Sequence, residues 1–175
     1  MASPAAPQPK LQKVMVAVDE SECSHHALEW ALRNLAASIA PPLLVITVQP
    51  LLPLGYVSAA SFGSPLGIPV VAPELIKSMQ EQQQQLSQAL IDKANQICAQ
   101  HGVAVETMIK TGDPKEMICE AAEESRVDLL IVGSHSRGPV QRLFLGSVSN
   151  YCMHHCKCPV LVVKKQGRIG WYSDN

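Results

Sequence analysis

Aromatic side chains are scarce in this chain, at 4% of 175 residues, which excludes a core stacked around Phe, Tyr and Trp. The interior must come from Leu, Val, Ile, Ala and Met, within an apolar fraction of 47% that is ordinary for a globular protein. Excess charge of one sign is also missing. Fourteen basic residues against fifteen acidic ones leave a net charge of −1, with no general pull toward nucleic acid or anionic lipid. Dedicated DNA or RNA binding is not expected, though Arg137 and Arg142 leave room for a local basic patch. No apolar run approaches the roughly 20 residues needed to cross a bilayer, so no membrane span is expected. The first residues lack the basic-then-apolar order of a secretory signal; the expected address is cytoplasmic, with the nucleus left open. Two reaction signatures are absent as well. Without Gly-x-x-x-x-Gly-Lys-Ser/Thr there is no positioned phosphate lysine, and without His-x-Gly-His or a second domain an adenylyl-transfer enzyme is disfavoured.

What is present reads as one domain over residues 11–165, with a disordered Pro-rich arm at 1–10 and a polar tail at 166–175. Lys13 to Val18 is a short apolar run closed by Asp19-Glu20-Ser21. Helical periodicity follows at Ala27, Leu28, Ala31, Leu32 and Leu35, with Ser21 or Ser24 as N-cap. Leu43 to Val48 is the next buried strand. Residues 50–73 carry repeated Pro and Gly and predict a long flexible loop, either a functional flap or a disordered segment. A helix is expected from Glu74 to about His101, with Leu75, Met79, Leu86, Leu90, Ala94 and Ile97 near one face. Its run Gln82–Gln85 is a solvated surface. Val103 to Lys110 alternates like a partly exposed strand, and Asp113-Pro114-Lys115-Glu116 reads as a capping box. Val127 to Val132 is a fully buried strand, Ser147 opens another helix, and Pro159 to Lys164 is the last strand. Such alternation makes a five-stranded, doubly wound α/β domain, its parallel sheet covered by helices on both faces.

In such sheets ligands bind beyond the carboxyl ends of the strands, where strand order reverses. Two segments compete for that place: Asp19 after the first strand, and Gly133-Ser134-His135-Ser136 after the fourth, answered by Gly146-Ser147 at a helix start. Glycine lets backbone approach an anion, and a helix start offers unpaired N–H donors at the positive end of its dipole. Asp19 facing that loop can accept both hydroxyls of a ribose; the plainer alternative is a helix-cap carboxylate. His135 is in position to act as a base, but a loop histidine is more often a surface group.

The runs Val132-Gly133-Ser134-His135-Ser136-Arg137-Gly138, Leu145-Gly146-Ser147-Val148 and Cys158-Pro159-Val160-Leu161-Val162-Val163 resemble the universal stress protein family, most closely its single-domain plant type. The likeness spans roughly residues 11–165 and includes Val-Asp-Glu-Ser, Thr-Gly-Asp-Pro and Gly-Ser-Val-Ser in matching order. It implies a Rossmann-like sheet in the order 3-2-1-4-5. It also implies an adenine-nucleotide site in which Asp19 holds ribose, Ala17, Val48 and Val132 line the adenine pocket, and Gly133, Gly146, Ser147 and the Val148 amide hold phosphate. Ser136 stands where the family pattern has its second glycine, which leaves ATP, or AMP or ADP, as the preferred ligand, with or without Mg2+. The resemblance further implies a homodimer through Val160, Leu161, Val162 and Val163, and a nucleotide-dependent regulator of an unknown signalling partner, with at most slow ATP hydrolysis.

A second reading makes the protein chaperone-like or redox-sensitive and independent of nucleotide. It rests on the 50–73 loop or on six cysteines, three of them in Cys152-Met153-His154-His155-Cys156-Lys157-Cys158. Thiolates and imidazoles are zinc ligands. However, Cys152 and Cys156 sit at helical spacing toward the sheet, and no Cys-x-x-Cys pair accompanies them, so small buried hydrophobes are the simpler expectation. His25-His26 reads as a helix-surface pair, and Trp171 and Tyr172 belong to the tail.

Overall fold

The computed structural model describes residue 11 and residues 13–51, 73–134 and 145–165. The loop expected at 50–73 lies almost wholly outside them, as do His135, Ser136, Arg137, Arg142, the arm 1–10 and the tail 166–175. Five strands, β1 (Val14–Ala17), β2 (Leu43–Gln49), β3 (Val105–Thr111), β4 (Leu129–Ser134) and β5 (Val160–Lys164), form one sheet. All pairings are parallel and the order is β3-β2-β1-β4-β5. The helices between them are α1 (Glu22–Leu35), α2 (Pro73–Gln100), α3 (Pro114–Glu124) and α4 (Ser147–His155).

β1 is central, and its composition shows why. Val14, Met15, Val16 and Ala17 are all buried, as a strand covered on both faces requires. Alternation then sends Val14 and Val16 to one layer and Met15 and Ala17 to the other. The first layer packs Ala27, Leu28, Ala31 and Leu32 of α1 and Ile91, Ala94 and Cys98 of α2 against Val45, Ile131 and Val163. The second packs Ile118, Ala121 and Ala122 of α3 and Cys152 of α4 against Ile46, Leu130 and Val132. Strand order reverses between β1 and β4, and the carboxyl ends of those two strands open side by side.

Three local expectations need correction. β4 runs to Ser134, so Gly133 lies within the strand and pairs with Val163 instead of opening a loop. The buried stripe of α2 is Ser87, Ile91, Ala94 and Cys98, whereas Leu75 and Leu86 are 49% and 48% exposed. The apolar residues of the first half of α2 had drawn the face off register, because that half carries no buried side chain before Ser87. Asp113 does cap α3, but its carboxylate accepts from the Lys115 N–H at 3.2 Å, one residue earlier than a capping box uses.

Candidate functional site

A cavity of about 340 Å³ opens at the switch point, within the range of roughly 300–1,000 Å³ typical of small-molecule sites. Its floor is the end of β1. Val18 extends the strand by donating its N–H to the Ile46 carbonyl at 2.9 Å, and the chain turns at Asp19. That turn is tightly held. The Asp19 carboxylate accepts from both the N–H and the hydroxyl of Ser21, the former at 2.9 Å. The Ser21 hydroxyl oxygen in turn accepts from the Ser24 N–H at 3.2 Å and so caps α1. Buried Ser24 takes the Asp19 N–H on its hydroxyl oxygen at 3.0 Å, with the Asp19 and Ser21 carbonyls 3.0 Å from the same hydroxyl. Asp19 is therefore not itself the cap; it buttresses the capping serine, while its side chain lies exposed at the cavity rim.

Gly133 forms part of the wall for a packing reason. A Cβ there would lie 2.6 Å from the Cys23 carbonyl carbon and oxygen and 2.7 Å from the Ser24 nitrogen, all backbone atoms of α1's first turn. Glycine is what lets α1 come down onto β4 beside the cavity. Across from it, Gly146 is the N-cap of α4 with φ −61° and ψ 156°, ordinary extended backbone, and among the described residues no side chain caps the helix. Ser147, Val148 and Ser149 make the first turn, whose N–H groups have no acceptor within the helix. The Ser149 hydroxyl donates to the Gly146 carbonyl at 3.0 Å, which leaves the amides uncapped. Gly146, Ser147, Val148 and Ser149 all line the cavity.

The remaining wall is apolar: Ala17, Ile46, Val48, Ile118, Val132 and Pro114. Every described residue picked from the sequence (Ala17, Asp19, Val48, Val132, Gly133, Gly146, Ser147 and Val148) borders this one space; Ser136 lies outside the described residues. Ile46, Ile118, Pro114, Ser21, Ser24 and Ser149 border it too and were not picked. Two of these left a signal: Ile46 shares a strand face with Val48, and Ile118 belongs to the buried stripe of α3. Among the described lining residues Asp19 is the acidic group, and none is lysine or arginine. A second opening of about 730 Å³ adjoins the first, sharing Asp19, Ser21, Val48 and Pro114 and bounded by Gln49, Gln82 and Gln83. No described helix is long and apolar enough to cross a membrane.

Known proteins with the same pattern place the chain. The Universal stress protein family model matches residues 10–164. A universal stress protein A-like protein of Arabidopsis thaliana is 32% identical over 162 residues, covering 87% of this chain and 90% of its own. The Bacillus subtilis universal stress protein YxiE is 30% identical over 87% of this chain and 98% of its own. The crystal structure of an Arabidopsis thaliana universal stress protein family member with AMP bound superposes with a TM-score of 0.63. It has 30% sequence identity and covers 89% of this chain and 93% of that one. This chain belongs to the universal stress protein family.

Proposed function

We propose that the cavity at the β1–β4 switch point binds an adenine nucleotide, and that the protein is a homodimeric, nucleotide-dependent stress-response regulator. The observation that carries this reading is the pairing of Asp19 with the uncapped first turn of α4 around one apolar-walled space. A similar protein holds AMP, which supports the same ligand class here. Each residue then has a role that its chemistry suits. Ala17, Val48 and Val132 offer a flat aliphatic surface to adenine. Asp19, oriented by Ser21, accepts the ribose hydroxyls. The amides of Ser147 and Val148 face the phosphate at the positive end of the helix dipole, and Gly146 keeps that approach free of a side chain. Gly133 completes the phosphate side, to which the family likeness also assigns Ser136.

ATP, ADP and AMP all meet these requirements. Magnesium would enter with the outer phosphates, since a lone carboxylate is a poor magnesium site without them. Hydrolysis is proposed to be slow at most, since the sequence carries no Gly-x-x-x-x-Gly-Lys-Ser/Thr motif to position a phosphate lysine. β5 ends the sheet, and its strand edge is the surface through which two copies pair, with Val160, Leu161, Val162 and Val163 along the seam.

Calorimetric titration with AMP, ADP and ATP, with and without magnesium, tests the site. Asp19→Ala removes a charged acceptor for two hydroxyls and is expected to weaken binding at least tenfold, about 1.4 kcal/mol. Gly146→Trp is expected to abolish binding by filling the phosphate side. Parent-like titrations for both variants would mean that the nucleotide, if bound, sits elsewhere.

A further inference from the structure

Outside the cavity, three thiols converge from two helices. The sulfur of Cys119 in α3 lies 2.9 Å from that of Cys156, just past α4, and 3.8 Å from that of Cys152 within α4. All three sulfurs fall within 4.8 Å of one another. The sequence groups Cys152, Cys156 and Cys158 because they are neighbours along the chain; folding puts Cys119 in place of Cys158. Cys152 is fully buried, while Cys119 and Cys156 are half-buried, so the group is reached from solvent through those two.

The surroundings decide which ligand suits it. The thiols share the apolar layer of Ile118, Leu130 and Val160. The nearby lysines, Lys115 and Lys157, pair with Asp113 and Glu123. The layer is apolar, so a charged complex would meet the cost of uncompensated burial. Three thiolates leave a net −2 on a monovalent copper and −1 on zinc or cadmium. On a trivalent centre they leave none. Geometry agrees: sulfurs about 2.3 Å from a shared central atom sit at most about 4 Å apart in a threefold arrangement. The observed spacings come near this with small side-chain rotations.

We propose that Cys119, Cys152 and Cys156 form a three-thiol binding site for trivalent arsenic, taken up as neutral arsenous acid. The chemistry is ligand exchange, repeated three times. An As–OH bond breaks as an As–S bond forms, and the thiol proton leaves with the hydroxide as water. Arsenic remains trivalent and no oxidant, reductant or external base is consumed.

Arsenite added to the reduced full-length protein tests this, read by native mass spectrometry and by X-ray absorption at the arsenic edge. One arsenic per chain is expected, with a mass gain of one arsenic less three hydrogens and three sulfur neighbours. Cys119→Ser and Cys156→Ser, at half-buried positions, should weaken binding at least tenfold, whereas Cys23→Ser and Cys98→Ala should leave it unchanged. Cys152→Ala is measured beside its own thermal melt; if it unfolds, the two half-buried variants carry the test. Two sulfurs plus an oxygen around arsenic, parent-like affinity in either half-buried variant, or displacement of arsenic by equimolar zinc would each overturn the proposal.

Discussion

Two glycines illustrate how one residue type serves two physical ends. At Gly133 the obstacle to a side chain is α1 itself, whose backbone atoms stand 2.6–2.7 Å from where a Cβ would be. Gly133→Ala must push α1 off β4, at a cost of about 1–3 kcal/mol, typical of overpacking. The same shift moves Ser21 and Asp19, so nucleotide affinity should fall with stability. At Gly102 the space is open but φ is +66°, and Gly102→Ala pays about 1–2 kcal/mol for a left-handed backbone alone. Urea denaturation and nucleotide titration of both variants separate the cases: equal nucleotide affinity in the two proteins would contradict the packing role of Gly133. Ser21 joins the two functions in one side chain. Ser21→Ala loses the α1 cap, about 1 kcal/mol, and also strips the hydroxyl donor from the Asp19 carboxylate, leaving only the backbone N–H of residue 21. Its expected signature is a modest loss of stability together with weaker nucleotide binding, read from a thermal melt and a titration.

At the scale of elements, α2 shows where pattern reading works and where it slips. Its existence and ends follow from a long stretch of helix formers after a breaker-rich loop, and it runs Pro73–Gln100. Its face follows only at Ala94, because Leu75, Met79, Leu86 and Leu90 compete with Ser87, Ile91 and Cys98 for the rest of the buried stripe. Only contact with the sheet decides between them. Ile91→Ala is accordingly expected to cost about 2–5 kcal/mol, and Leu86→Ala about 0.5 kcal/mol or less, in matched denaturation curves. The strands were easier to read: β1 and β4 are buried on both faces, so unbroken apolar runs marked them. The end of β4 was harder, since Gly133 looks like a terminator until α1 is seen lying over it. The cavity wall was legible at Ala17 and Val48 through the family likeness, which maps onto the ends of β1 and β2. It was hidden at Pro114, and at Ile118 only burial was legible, because a sequence does not display which helix crosses above which strand. Cys119 escaped for the same reason, being brought to Cys152 and Cys156 by the packing of α3 on α4.

Over the whole molecule, an aromatic-poor core places its burden on close aliphatic packing and leaves small thiols inside it. Cys98 between α2 and the sheet and Cys152 beneath α4 are both fully buried. Burial raises their thiols from an ordinary value of 9.0 to about 11 and about 12. The sign of the consequence follows from proton binding. Between these values the unfolded chain has released both protons while the folded chain still holds them, so rising pH favours unfolding. The stabilising contribution of each thiol is therefore complete below about pH 9 and drains away toward pH 11 for Cys98 and pH 12 for Cys152. Urea midpoints measured from pH 8 to pH 11 should decline in the native protein. Lysines and tyrosines also titrate in that interval, so the comparison that isolates the thiol is Cys98→Ala. This variant starts less stable because a packed group is lost, yet it should decline less steeply over the upper part of the range. A parallel decline in both proteins would show that Cys98 ionises as readily inside the fold as outside it.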